Sequence, residues 1–189
     1  TAAANAMRVK SKISFAKSVS KEMDYDAGRA GKKGQVLLRK YDEGAMSGYL
    51  AGSGDATTPP AITPLLKGAG LSVTSQADHV LIAPVSPSAA SSVTHYIYKS
   101  KHRHAMLGAR SDFELTLGNE ELSELNFPNM MGLYVPAAKM GALQSPDLSA
   151  FKQPISPDGV NWVTTSVLGF SASIAKVQLK GGNKIEWVP

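Results

Sequence analysis

The segment "ELNFPNMMGLYVP", residues 124–136, limits the fold more than any other stretch. Counted by twos, Leu125, Phe127, Asn129, Met131, Leu133 and Val135 share one face, the alternation of a strand half buried against a core. Pro128 falls on the other face. Because proline has no N–H to give to a ladder, it is confined to a sheet edge, a bulge or the first residue of a strand. The segment therefore predicts a strand that bends or lies at an edge.

The neighbouring segments carry the same period. "RVKSKISFAK" (8–17) sets Val9, Ser11, Ile13 and Phe15 against Lys10, Lys12 and Ser14, an amphipathic strand. "VLLRKYDEGAMSGYLAGSG" holds two short strand candidates, around 35–41 and 45–51. Further strands are expected at 79–85, 92–100, 103–109, 111–118, 161–168, 171–180 and 183–188, with turn residues between them. The one credible helix is short, about 62–69, with Thr63 as a cap, Pro64 in the first turn and "GAG" at its end.

Regular strand spacing predicts a mainly β fold, a two-sheet β-sandwich or barrel with one short flanking α-helix. Residues 133–159 carry four prolines and read as an extended connection. Residues 1–189 make one domain, with a long, basic arm or loop around 19–35 that lacks a period. The expected core is Phe113, Leu115, Leu117, Phe127, Met131, Leu133 and Val135.

The chain carries a net charge of +5, and residues 1–60 hold ten Lys/Arg against six Asp/Glu. That balance permits contact with nucleic acid or acidic surfaces, or simply keeps an arm solvated. With no cysteine, neither a disulfide framework nor a thiolate metal site is available, as suits a reducing cytoplasm. No apolar run approaches the ~18 residues of a membrane span, and no secretory leader is legible at the start.

The search for chemistry is mostly negative. His95, His102 and His104 cluster in "THYIYKSKHRHAML", but no carboxylate lies beside them and Lys99, Lys101 and Arg103 oppose a cation. A solvated basic hairpin tip is the simpler reading. A nucleophile elbow and a catalytic cysteine are both lacking, and Glu120–Glu121 sits on a polar connection. "GRAGKKG" has no Ser or Thr after its lysines and no helix following, so it is not a phosphate loop. Tyr96 and Tyr98 hint at a stacking platform, yet aromatics are only 7% of the chain, too few to favour one over cross-strand packing. These residues predict no enzyme, no metal and no cofactor.

From about residue 48 onward the chain resembles the major tail tube proteins of long-tailed bacteriophages. The resemblance rests on the order of "LAGSG", "ITPLLKGAGL" (62–71), "VTHYIYKSKHRHAMLGARSDFELTLGNEELSELNFPNMMGLYVP", "PDLSAFKQPI" (146–155) and "VLGFSASIAKVQLKGGNKIEWV". It implies a virion protein: hexameric rings stacked helically into the tube that conducts the genome, assembled in the host cytoplasm and resident in the tail. It also implies as partners the tape measure, terminator and tail-tip proteins, and passing double-stranded DNA held without sequence specificity. A terminator or tail-tip ring protein is the alternative, and a basic DNA-binding domain the third. DNA must slide, so the lumen should be acidic or neutral; Asp112, Glu114, Glu120 and Glu124 are the lumen-facing candidates.

Overall fold

The computed structural model describes residues 6–22, 34–99, 102–118, 121–136, 145–154, 166–167, 170–171, 176–183 and 185. Its strands are β1 (Lys10–Glu22), β2 (Gln35–Tyr49), β3 (Leu71–Ser75), β4 (Val80–Pro84), β5 (Val93–Lys99), β6 (His102–Arg110), β7 (Glu114–Gly118), β8 (Glu124–Tyr134), β9 (Ser166–Val167), β10 (Phe170–Ser171) and β11 (Lys176–Lys180). The helix α1 is Thr63–Gly68. The protein is mainly β. A seven-stranded antiparallel sheet runs β1-β2-β8-β6-β5, with β7 also on β8 and β11 on β7, while β3–β4 and β9–β10 form two-stranded pieces.

Strand β8 organises the large sheet. Along one edge it pairs with β2, from Tyr49↔Glu124 to Tyr41↔Leu133. Its other edge is divided: Glu124–Asn126 bind β7, and Met131, Leu133 and Tyr134 bind β6. Pro128 sits in the changeover between those partners, where no ladder donor is needed, and its carbonyl accepts the Asp112 N–H at 3.2 Å. Next to it Asn129 adopts φ 54°, a left-handed conformation that asparagine tolerates better than most residues.

The pair Pro128–Asn129 is a bulge. Met46 opposes Phe127 and Gly44 opposes Met130, so β8 spends one residue more than β2 over that interval. One extra residue reverses the faces of everything after it. Leu125 and Phe127 point into the core before the bulge, and Met130 and Gly132 after it. The expected core face is therefore corrected beyond residue 128: Met131 is only half-buried and Leu133 is 47% exposed. Val135 is buried as expected, just past the strand end.

On the inner face, Met46, Ile97, Met106, Ala109, Leu125, Phe127 and Met130 meet Ile62, Leu65, Leu66, Ala69 and Leu71 from the helical segment. Phe113 and Leu115 pack against this cluster from the side. Leu117 is half-buried. A six-residue helix has no stability of its own, so this packing holds α1 in place. Thr63 does not cap it. Ile62 is the N-cap residue, and the Thr63 hydroxyl instead donates to the Pro60 carbonyl at 2.7 Å.

Other boundaries also moved. The two candidates at 35–41 and 45–51 are one strand, β2, and β3 is a strand that the alternation did not reveal. β1 continues to Glu22, so residues 19–22 of the expected arm pair with β2. The rest of that arm through 33 lies outside the described residues, as do most of 161–168 and 183–188 and parts of the 133–159 connection.

Phe127, fully buried at the sheet centre, sets the stability test: Phe127→Ala is expected to cost about 3–5 kcal/mol. Leu133→Ala should stay within about 0.5 kcal/mol in the dispersed protein. Chemical denaturation of both variants measures the difference, and the opposite order would restore the uninterrupted alternation.

Candidate assembly interface

Strands β1 and β5 close the strand order at its two ends, so among the described residues the sheet has an unpaired edge on both sides. Beyond Tyr41, toward its start, β2 leaves β8 behind and among the described residues pairs with β1 alone, through Lys40↔Ser18, Arg39↔Val19, Leu37↔Ser20, Val36↔Lys21 and Gln35↔Glu22. Residues 35–40 and 18–22 thus form a two-stranded ribbon. Val36, Leu37 and Leu38 on it are 45%, 51% and 58% exposed. Because successive side chains of a strand point to opposite faces, three apolar residues in a row cannot all be hidden by covering one face. Such an edge is a template for pairing with another chain.

The outer face of the sheet carries a second apolar feature, created by the bulge. Lys17, Tyr41, Leu133 and Leu107 stand in register across β1, β2, β8 and β6. Glu43, Met131 and Arg110 form the adjacent row. Leu107 and Leu133 are exposed, and Tyr96 lies on the same face with the Arg103 guanidinium 5.1 Å from its ring centroid. Lys17 forms an ion pair with Glu43 at the margin. A short apolar stripe bounded by charges results.

The carboxylates named from sequence divide. Asp112 is 9% exposed, with its Oδ1 accepting the Phe113 N–H at 2.8 Å, and a buried carboxylate cannot line a channel wall. Glu114 and Glu124 do share a face, opposite Asn126 and Thr116 across the β7–β8 ladder. Glu114 accepts from Gln178 and pairs with Lys180 Nζ at 3.1 Å, so its partner is in its own chain. Glu120 lies outside the described residues.

The histidines separate as well. His104 stacks on Phe15, ring centroids 4.1 Å apart, and His102 is exposed opposite Lys99. Among the described residues no group of three His, Asp and Glu is placed to hold a metal ion. His95 faces a cleft of about 480 Å³ formed by Met7, Val9, Met46, Leu65 and Leu148 with β5. Burial pushes its imidazole down from 6.5 to about 4, so it is neutral at neutral pH.

Comparison with protein-family models, with curated proteins and with solved structures finds no match to this chain.

Neither the ribbon nor the stripe was visible from alternation alone. "VLL" signalled a strand but not that β8 stops short of it, and Leu107 and Leu133 meet only because of the bulges in β8 and β6. The local signals were Asn after Pro in β8 and Gly108, φ 58°, in β6. His95 generates a pH test. A base whose folded pKa is depressed adds stability above its ordinary value and loses it as pH falls toward the folded one. Thermal unfolding midpoints should therefore fall as pH drops from 6.5 toward 4, and His95→Leu should remove that step. An unchanged profile in His95→Leu would show that another group is responsible.

Proposed function

We propose that this chain is a structural subunit that assembles with copies of itself into stacked hexameric rings, the tail tube of a long-tailed bacteriophage, through which the genome passes into the host. The observation that carries the reading is the ribbon at 35–40: a strand edge with no further strand beyond it among the described residues and three exposed apolar side chains, on a sheet whose far edge, β5, is likewise unpaired among them. Collinear resemblance over most of the chain supplies the particular assembly. On this reading the protein has no catalytic step, cofactor or membrane contact, and its work is geometric. It acts in the virion tail after assembly in the host cytoplasm, against the tape measure, terminator and tip proteins.

The physical logic is strand addition. A neighbour's edge pairing with the ribbon satisfies main-chain N–H and C=O groups. Burying Val36, Leu37 and Leu38 adds about 1.5–3 kcal/mol for each side chain fully removed from water. An edge on one side of the subunit meeting a different edge on the next is a heterologous contact, which closes into a ring when the rotation permits. DNA sliding requires a wall without fixed cations, and Glu114 and Glu124 remain the candidates for it. A terminator or tail-tip ring protein is the second reading, since it would use the same open edges to make rings that do not stack.

Electron microscopy of the concentrated protein distinguishes these outcomes: long hollow tubes support the tube reading and closed single rings the second. Monomers that shift DNA in a gel would support a basic DNA-binding domain instead. Leu37→Lys is expected to leave the unfolding midpoint near that of the parent protein, because the residue is exposed, while abolishing tubes or rings. Assemblies of normal length from Leu37→Lys would overturn the role of the ribbon.

A further inference from the structure

The root of the ribbon is built around a buried carboxylate. Asp42 has no exposed surface. On β1 two residues, Phe15 and Ala16, stand opposite it, since Ser14 pairs with Glu43 and Lys17 with Tyr41. Ala16 has φ 58°, which alanine adopts only at a cost, and its N–H donates to Asp42 Oδ1 at 2.8 Å. The other oxygen, Oδ2, has no hydrogen-bond partner among the described residues. This cluster sits beside the row Tyr41↔Leu133, the last at which β8 supports β2 before the ribbon begins at Lys40.

We propose that Asp42 is a proton-sensitive latch: its carboxyl oxygen holds the β1 bulge that aims the ribbon, and the charge state of the unpartnered oxygen sets how firmly that root is closed. A buried carboxylate with one orphan oxygen is costly, whereas the neutral acid keeps the Ala16 bond without the charge. Burial accordingly raises the Asp42 pKa, and the Ala16 N–H and the nearby His104 partly oppose that rise.

The surrounding charges are few. On β6, His104 stacks on Phe15. On β8, Gly132 lies opposite Asp42 and brings no charge, and Tyr134 follows two residues on. On β2, Lys40 shares the Asp42 face but is exposed, while β1 offers only Lys17, engaged with Glu43 on the outer side. Arg103, next to His104, leans over Tyr96.

The sign follows from linkage. An acid whose folded pKa is raised contributes closure that is complete at low pH and declines as pH rises through the folded value. The ribbon root is thus tightest in mild acid and loosest at neutral pH, independently of what the ribbon binds.

Amide hydrogen exchange, corrected for the intrinsic pH dependence of the chemistry, reads this directly at Ala16 and its neighbours. In the dispersed parent protein, protection at the root should rise as pH falls from neutral toward the ordinary carboxylate range. Asp42→Asn, which keeps an acceptor for the Ala16 N–H, should show the low-pH protection at every pH. Asp42→Ala, which lacks the acceptor, should lose root protection throughout while the Phe127 region stays protected. A pH dependence that persists in Asp42→Asn, or protection at neutral pH lower in Asp42→Asn than in the parent, would overturn the latch.

Discussion

One extra residue in β8 decides the character of the molecule. At Pro128–Asn129 a strand that began with β7 on one edge continues with β6, and the residue without an N–H stands where the ladder changes hands. A regular strand could not do both. A straight continuation would turn Met131 and Leu133 inward, and Met130 would lose its place in the core cluster that includes Met106 and the α1 leucines. Gly132 belongs to the same arrangement: a Cβ there would run into the Met106 side chain and come within 3.0 Å of the Leu107 carbonyl. The bulge and the glycine together let β6 pack its one fully buried methionine against β8.

That constraint also explains what the sequence made legible. Strand patterning located β1, both parts of β2, β4, β5, β6, β7, β8 and β11, and Pro64 with the following glycines located α1, because these signals are local. The expected face matches the structure through Phe127 and again at Val135, but not at Met131 and Leu133, since a bulge changes phase without changing composition. The left-handed Asn129 immediately after Pro128 was the available warning. β3 escaped notice because its hydrophobics belong to the end of α1 as much as to a strand. Among the site residues, Glu114 and Glu124 were read on the correct common face, while Asp112 precedes β7 and turns inward to the Phe113 N–H. No pattern in "QVLLRKYDEG" could tell that β8 ends level with Tyr41, for that depends on a partner more than eighty residues away.

The consequences reach the proposed assembly. Because Leu107 and Leu133 face outward in the same row as Tyr41, the sheet presents apolar surface where a fully self-sufficient domain would present polar groups. Because β2 outruns β8, the same sheet ends in a ribbon whose edge no other described strand shares. Both features lie at the same end of β2, and Asp42 stands next to the Tyr41 row on the inner face, so the bulge in β8, the bulge in β1 and the exposed ribbon form one connected region. A subunit that must grip copies of itself has use for such a region.

The reversal of β8 is the claim on which all of this rests, and the absence of cysteine from the chain makes it directly measurable. Single-cysteine variants at Met130 and Leu133, kept dispersed, report their faces by the rate of reaction with a thiol reagent. Leu133→Cys is expected to react nearly as fast as an unfolded thiol, while Met130→Cys reacts only through opening of the sheet, slower by about a thousandfold or more. Rapid labelling at 130 with protection at 133 would contradict it.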